Sequence, residues 1–351
     1  NELPTNNIES SEDVEKPEDV ERPDELSTKN IESLVYDNEN TVISVYWRLK
    51  RFIITFSGSD SGIEAQYVKN LHDASLQSDE TNDSDPLNKA WNELEQFAID
   101  VSQPLIQHLA LTVDKPETGY TLEVELFPET FMLQVVTIQG TAKAIERKDM
   151  SPPCVSFIAQ PPPLWSRHLP IYCLSEVKVL QRMLPTRIYK VEVDGQLLCC
   201  KVADRRFPEI SKEIETLHKL KELDMTNPIR IPKLRGLVVT EDKKSVVGFL
   251  MDFIDTSESF RQLAKSMCKV TQSRRETWME QIERIVCYIH RNGEVWGDAK
   301  PDNLLLDKDD NVWLIDFGGS RTEGWVDEAV ENTTEGDLMA VSRIRSFFEL
   351  A

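Results

Sequence analysis

The chain has 351 residues, and its 61 acidic residues against 40 basic ones give a formal net charge of −21 at pH 7. This excess of acid would repel phosphate backbones and anionic lipid headgroups, so the composition argues against nucleic acids and membranes as partners. The sequence contains no apolar run of transmembrane length and no signal-peptide pattern, and its six cysteines form no C-x-x-C pair. We therefore expect a soluble intracellular protein, cytoplasmic or nuclear.

Residues 1–33 form a distinct acidic segment at the start of the chain. The segment repeats itself, because E-D-V-E-K-P at 12–17 is followed by E-D-V-E-R-P at 18–23. It has few large apolar side chains, so burial could not offset the entropy lost on ordering. We predict a disordered tail.

Residues 34–150 show strand and helix patterns without a recognisable catalytic constellation, and we predict a small α+β region. In chain order we expect strands at Val42–Trp47 and Arg51–Ser57, a loop at Asp73–Asp85, a helix opened by Pro86, and strands at Thr121–Phe127 and Phe131–Ile138. The six prolines within residues 151–170 disfavour regular structure and indicate an extended linker. The second domain is therefore expected at 171–351.

Residues 171–351 begin with β-rich patterns and continue with helical ones. A hairpin is predicted from Tyr189–Val193 and Gln196–Ala203, because Asp194-Gly195 between them is a favoured turn. The later predicted elements are a helix at Pro208–Leu223, a strand at Val246–Phe253 and a helix at Arg274–Asn292.

The strongest chemical signal is W-G-D-A-K-P-D-N at 296–303, followed by V-W-L-I-D-F-G at 312–318. The pattern indicates a loop, a short strand, a polar turn and a second strand, which would bring Asp298, Lys300 and Asn303 close to Asp316. Such a set suits phosphoryl transfer. A carboxylate can accept a hydroxyl proton, an ammonium can neutralise phosphate charge, and amide and carboxylate oxygens can hold Mg²⁺.

This segment resembles the D-x-K-x-x-N and D-F-G motifs of protein kinases. The resemblance implies that Asp298 is the catalytic base, that Lys300 contacts the γ-phosphate, and that Asn303 and Asp316 are the Mg²⁺ ligands. It also implies a bilobal protein-kinase-like α+β fold, with a β-rich N-lobe and a short helical C-lobe, preceded by the small α+β region.

The same resemblance assigns the nucleotide-binding residues upstream. Lys201 in C-C-K-V-A looks like the lysine that holds the α- and β-phosphates, and Glu213 looks like its partner, with Glu215 and Glu209 as rivals. The residues expected at the adenine are Met251 as gatekeeper, followed by Asp252, Phe253 and Ile254.

The sequence departs from the kinase pattern at three places, one of which is the absence of an A-P-E motif between Gly318 and Asp337. The glycine-rich loop is replaced by Q-R-M-L-P-T-R at 181–187, where Arg182 or Arg187 could compensate for the missing backbone contacts. The usual histidine-arginine pair before the catalytic aspartate is replaced by Trp296-Gly297. Gly-Asp at this point also resembles aminoglycoside- and choline-kinase-like enzymes, which phosphorylate small molecules.

The leading hypothesis is an ATP- and Mg²⁺-dependent phosphotransferase whose default acceptor is a protein Ser or Thr hydroxyl. A small-molecule phosphotransferase is one alternative. A pseudokinase that acts as a nucleotide-binding interaction module is the other, because the glycine-rich loop is absent. The whole arrangement resembles short kinase-like proteins of filamentous fungi, in which an α/β region precedes the kinase-like domain.

Overall fold

The computed structural model describes the residues 26–27, 31–36, 40–58, 61–81, 84–110, 119–152, 168–184, 187–203, 210–221, 229–264, 266–319 and 322–350. Most of the predicted tail and most of the predicted linker lie outside the described residues. The chain forms two compact units, an N-terminal unit (residues 1–113 and 130–152) and a C-terminal unit (residues 114–129 and 153–351). Residues 114–129, assigned from the sequence to the N-terminal region, thus belong to the C-terminal unit.

The first half of the chain alternates strands with helices. Its elements are β1 (Ile31–Tyr36), β2 (Asn40–Trp47), β3 (Lys50–Ser57), α1 (Ile63–Thr81), α2 (Asp85–Ala110), β4 (Tyr120–Thr121), α3 (Leu122–Leu126), β5 (Glu129–Ile138) and β6 (Thr141–Glu146). Because Leu26 is buried and β1 begins at Ile31, part of the segment predicted as a disordered tail is structured. The N-terminal unit contains a sheet of order β1-β2-β3-β5-β6, whose buried side chains pack with those of α1 and α2.

Two predictions in this half are wrong. The loop predicted at Asp73–Asp85 is largely the continuation of α1, because Val68 and Leu71 are buried and anchor a helix whose later turns are polar. The strand predicted at Thr121–Phe127 is mostly the short helix α3, capped by Thr121, whose hydroxyl accepts from the N–H of Val124.

The C-terminal unit continues with strands and then helices. Its further elements are β7 (Ile171–Cys173), β8 (Lys178–Leu184), β9 (Ile188–Val193), β10 (Gln196–Val202), α4 (Ser211–Lys221), β11 (Leu234–Val239), β12 (Val246–Asp252), β13 (Thr256–Ser259), α5 (Phe260–Ala264), α6 (Gln272–Arg291), β14 (Leu304–Asp307), β15 (Val312–Leu314) and α7 (Thr334–Phe347). None of the helices in the described ranges is both long and apolar enough to cross a membrane.

A curled sheet of order β4-β8-β9-β10-β12-β11-β7 forms the upper part of this unit. Neighbouring strands are antiparallel except β11 and β7, which are parallel. The predicted hairpin is β9 and β10, joined by Asp194 and Gly195, both of which have positive φ as a tight two-residue turn requires. A smaller sheet, β13-β14-β15, lies among the helices.

Two apolar cores pack against the large sheet, one on each of its faces. One core joins β11 and β12 to α4 and continues into α5, α6 and α7. The other lies under α3, whose Leu122 and Leu126 pack with Tyr189, Val191 and other side chains of β8 to β10. This mixed fold, with a β-rich part followed by helices, is of the predicted α+β class.

Candidate active site

Lys201 lies at the centre of a buried ionic cluster. Strand β10 pairs with β9 on one side and β12 on the other, so Lys201 stands opposite Ile188 and Phe249. Its Nζ donates to Glu213 Oε2 at 2.6 Å and to Asp316 Oδ1 at 2.7 Å. Only 3% of Lys201 is exposed. The ammonium group of Lys201 therefore connects strand β10 of the large sheet to helix α4 and to the segment after β15.

Which glutamate contacts Lys201 depends on which side of helix α4 faces the sheet. Glu213 lies in the first turn, is 2% exposed, and stands on the buried side of the helix with Ile214 and Leu217. Glu215 is exposed to solvent, and Glu209 lies outside the described residues. Of the two candidates that the structure describes, Glu213 is the one in contact with the lysine.

Burial and charge act against each other in this cluster. Desolvation alone would lower the pKa of Lys201, but the attraction of Glu213 and Asp316 outweighs it and raises the pKa. Burial raises the pKa of Glu213, and Lys201 offsets only part of this. Burial would also raise the pKa of Asp316, yet the attraction of Lys201 lowers it, assisted by Arg187 and Lys300. The lysine and Asp316 are therefore charged at neutral pH.

Asp316 has a backbone conformation that residues other than glycine seldom adopt. Its φ is +63°, in the left-handed region. The preceding residue, Ile315, donates its N–H to the carbonyl of Asn303 at 3.1 Å, which fixes the chain just after β15. Such a conformation persists only where the surroundings enforce it, and here the side chain contacts Lys201.

A second polar cluster lies in the segment between α6 and β14. Lys300 Nζ donates to Asp298 Oδ2 at 2.6 Å. Asn303 Nδ2 donates to the carbonyl oxygen of Asp298 at 2.8 Å and to its Oδ2 at 3.0 Å. Asp298 and Asn303 are both buried. The three polar residues of the D-x-K-x-x-N pattern are therefore in direct contact.

Thr322 lies on the same cluster, although no feature of the sequence pattern marks it. Its Oγ1 donates to Asp298 Oδ1 at 2.9 Å and accepts from Lys300 Nζ at 2.8 Å. An aliphatic hydroxyl thus fits between the carboxylate and the ammonium. The contact depends on the path of the chain after Asp316, which spacing alone does not specify.

A buried carboxylate on α7 binds the backbone just before the second cluster. Asp337 is 2% exposed and accepts from the N–H groups of Trp296 at 2.7 Å and Gly297 at 2.8 Å. Its Oδ2 also lies 2.8 Å from His290 Nε2. The indole of Trp296 donates to the carbonyl of Ile315 at 2.9 Å. These contacts connect the backbone of the second cluster to the residue that precedes Asp316.

Gly297 occupies the place of the arginine in the kinases that the sequence resembles. Its φ is +84°, and an added Cβ would come within 3.0 Å of Asn332 Oδ1 and 3.1 Å of Gly319 Cα. Asn332 Oδ1 in turn accepts from Lys212 Nζ at 2.5 Å. A side chain at position 297 would therefore be strained and would collide with this contact.

The predicted adenine-binding residues, Met251, Asp252, Phe253 and Ile254, lie at and just after the end of β12. Met251 is buried and stands opposite Cys199 across the strand pair. The N–H of Asp252 donates to the carbonyl of Lys233 at 3.1 Å. The backbone groups that follow Asp252 are therefore the candidates for contacts with a base.

The turn between β8 and β9 lies where the glycine-rich loop was expected. Strand pairing continues as far as Leu184 opposite Ile188, and the N–H of Arg187 donates to the carbonyl of Leu184 at 3.2 Å. The residues 181–187 contain no glycine. Within the described residues, β8 and β9 are therefore paired on both sides of positions 185 and 186.

The oxygen donors near both clusters suit a hard divalent cation. Because the amide nitrogen of Asn303 is committed to Asp298, its Oδ1 is the atom suited to coordinate a metal. The carboxylate of Asp316 supplies the second donor. Within the described part of the chain, no group of three or more His, Cys, Asp or Glu side chains could hold a metal.

Comparisons with known proteins identify one matching family. The family model described as protein kinase domain matches residues 187–335. CBL-interacting serine/threonine-protein kinase 19 of Arabidopsis thaliana is 29% identical over 124 residues, which are 35% of this chain and 25% of that protein.

Two further relatives come from other groups of organisms. Calcium/calmodulin-dependent protein kinase type 1 of Caenorhabditis briggsae is 30% identical over 138 residues, 37% of this chain and 36% of that protein. The cAMP-dependent protein kinase catalytic subunit of Dictyostelium discoideum is 24% identical over 172 residues, 48% of this chain and 26% of that protein. The chain therefore spans between 25% and 36% of the length of these relatives.

Proposed function

Residues 187–335 belong to the protein-kinase-like superfamily, and we propose on this premise that the chain is an ATP- and Mg²⁺-dependent phosphotransferase. The acceptor is a hydroxyl, with protein Ser or Thr as the default. The observation that supports this most directly is the contact of Asp298 with Lys300 and Thr322, because it accommodates an aliphatic hydroxyl between a base and a cation.

Each residue of the two clusters has a role in this proposal. Asp298 accepts the proton of the attacking hydroxyl, whose oxygen forms the new bond to the γ-phosphorus of ATP while the bond to the β,γ-bridging oxygen breaks and ADP leaves. Lys300 neutralises charge on the transferred group. Lys201, oriented by Glu213, binds the α- and β-phosphates.

The metal site of this proposal consists of Asn303 Oδ1 and the carboxylate of Asp316. Mg²⁺ bound there supplies positive charge to the β- and γ-phosphates. Asp316 is ionised for this task because neighbouring cations lower its pKa in spite of burial.

Replacement of Asp298 by Asn tests the catalytic part of the proposal. We expect the variant to lose about 10²- to 10⁴-fold in the rate of phosphoryl transfer, the usual contribution of a positioned general base. Its affinity for ATP should remain within a few fold of the wild type. The measurement is transfer from radiolabelled ATP to Ser, Thr and Tyr peptide mixtures, with Asp309→Asn, an exposed position in the neighbouring turn, as the matched control.

Transfer by the wild type that is unaffected in Asp298→Asn would contradict the role of the carboxylate. Transfer to aminoglycosides or choline but not to peptides would favour a small-molecule phosphotransferase, the class that Gly297-Asp298 resembles. ATP binding without transfer to any acceptor would favour the interaction module, for which the glycine-free hairpin of β8 and β9 is the supporting observation.

A further inference from the structure

The hydroxyl of Thr322 lies between the two residues that are proposed to act on an acceptor. Its Oγ1 is 2.9 Å from Asp298 Oδ1 and 2.8 Å from Lys300 Nζ. Asp298 is only 4% exposed, so this carboxylate has little contact with water. An external hydroxyl would have to take the same position between the carboxylate and the ammonium. The chain therefore presents a hydroxyl of its own at the acceptor position of the proposed reaction.

The directions of these two hydrogen bonds suit attack by the threonine oxygen. An ionised carboxylate can only accept and an ammonium can only donate, so the hydroxyl proton is directed at Asp298 while Lys300 donates to the oxygen. A hydroxyl oxygen has two lone pairs, and Lys300 takes one of them. The other is suited to form a bond to phosphorus. Because Lys300 is also the proposed contact of the γ-phosphate, a bound phosphoryl group would lie beside the same oxygen.

A turn holds the backbone of Thr322 in this position. The carbonyl of Thr322 accepts from the N–H of Trp325 at 3.1 Å, and Gly324 between them has a φ of +85°, as a type II turn requires at its third residue. Trp325 packs against the apolar core that includes α6 and α7, and its ring is edge-on to Phe347 with centroids 6.1 Å apart. The hydroxyl is therefore oriented by the same unit that carries Asp298, which favours an intramolecular reaction.

We propose that Thr322 is phosphorylated by its own chain. This inference rests on the proposed function and names an acceptor for it. Thr322 Oγ1 forms a bond to the γ-phosphorus of ATP while the bond from that phosphorus to the β,γ-bridging oxygen breaks. ADP leaves with the electron pair, and the hydroxyl proton passes to Asp298. Because base and acceptor belong to one chain, the rate constant is independent of protein concentration.

The charge of the product limits the reaction at this position to a single event per chain. A phosphothreonine carries a charge of about −1.5 to −2 at pH 7, and here it would stand next to the carboxylate of Asp298. Lys300 offsets only part of the resulting repulsion, since it carries a single positive charge. We therefore expect the phosphate content at position 322 to reach a plateau of one per chain.

The test incubates the full chain with Mg²⁺-ATP at several protein concentrations and measures the phosphate at position 322 by peptide mass spectrometry. We expect this phosphate to appear with the same rate constant at every protein concentration. Thr322→Ser keeps a hydroxyl and should be phosphorylated at 322, whereas Thr322→Val is nearly isosteric and should carry no phosphate there. Thr277→Val, which alters an exposed threonine of α6, is the matched control and should be phosphorylated at 322 like the wild type.

A second variant excludes a contaminating kinase as the source of the phosphate. Asp298→Asn keeps Thr322 but replaces the proposed base, and should slow its phosphorylation about 10²- to 10⁴-fold. Phosphorylation of Thr322 at the same rate in Asp298→Asn and in the wild type would contradict the inference.

Transfer to peptides, measured in the same samples, separates the inference from the function on which it rests. If the wild type phosphorylates peptides but not Thr322, the hydroxyl only holds the turn, the inference is wrong and the proposed function stands. If the rate at Thr322 rises in proportion to protein concentration, the reaction occurs between chains and the inference is again wrong. If the folded wild type transfers phosphate neither to peptides nor to itself, the proposed function and the inference fail together.

Discussion

Five charged side chains form the two clusters of the candidate site, and the acids outnumber the bases by one. They are Lys201, Lys300, Glu213, Asp298 and Asp316. A site without surplus positive charge has little net attraction for a triphosphate, since each cation already faces a carboxylate. A divalent metal would supply the missing charge, which agrees with the proposed dependence on Mg²⁺.

Replacement of Lys201 by Met tests the ionic cluster. We expect a loss of about 3–5 kcal/mol in the free energy of unfolding, because the buried Glu213 is left without its partner. The loss should be larger at pH 8 than at pH 5. Burial already raises the pKa of Glu213, and without Lys201 it rises further, so the folded state retains a proton that the unfolded chain releases and stability falls as the pH rises.

Urea unfolding of the wild type and the variant at both pH values measures this difference. Adding Glu213→Gln to Lys201→Met should reduce the additional pH dependence to the part contributed by Asp316, which also loses its contact with Lys201. Adding Glu215→Gln, at the exposed position of the same helix, should leave it in place. An equal loss at pH 5 and pH 8 in Lys201→Met would show that burial of Glu213 does not govern its ionisation.

The conformation of α3, a helix of five residues, determines which side chains cover one face of the large sheet. In a strand, Leu122, Val124 and Leu126 would share one face. In the helix, Leu122 and Leu126 are buried while Val124 is 39% exposed, and Glu125 becomes buried against Arg182. The segment therefore completes the apolar core between α3 and strands β8 to β10 of the large sheet.

Substitution of Leu122 by Ala is expected to destabilise the full chain by about 2–5 kcal/mol, since Leu122 is fully buried among the β8–β10 side chains. Val124→Ala on the exposed side of α3 should change the free energy of unfolding by no more than about 0.5 kcal/mol. Chemical denaturation followed by near-UV circular dichroism makes the comparison. Equal effects of both substitutions would contradict the helical arrangement.

Short sequence patterns predicted those elements whose conformation depends mainly on residues close by in the chain. The Asp194-Gly195 turn predicted the β9–β10 hairpin, and regular apolar spacing predicted the helix α6. The segment L-E-V-E-L fits periods of 2 and of 4 equally well, so only the tertiary contacts of α3 decide between strand and helix. The contact of Thr322 with Asp298 was equally out of reach, because it joins residues brought together by the chain path after Asp316.

The proposed nucleotide site combines residues from elements that are far apart in the sequence. Lys201 and Asp316 are 115 positions apart, and Asp337 supports the segment of Asp298 through backbone contacts at a separation of 40 residues. The motif residues were predictable because each lies in a short local pattern. Their mutual geometry depends on the packing of both cores in the C-terminal unit.

The overall charge also bears on the proposed binding of ATP. A formal net charge of −21 disfavours the approach of an anionic nucleotide, so the proposed binding would rely on the local cations and on Mg²⁺. The central claim is therefore a metal-dependent nucleotide site at Asp316.

Thermal unfolding of the full chain, with and without Mg²⁺-ATP, tests this claim most directly in the wild type and in Asp316→Asn. At a hundredfold excess over the dissociation constant, ligand binding should stabilise the wild type by about 2.7 kcal/mol and raise the midpoint accordingly. The shift should vanish when Mg²⁺ is chelated and in Asp316→Asn, and should persist in Asp309→Asn. A folded wild type whose midpoint does not move at millimolar Mg²⁺-ATP would contradict the account.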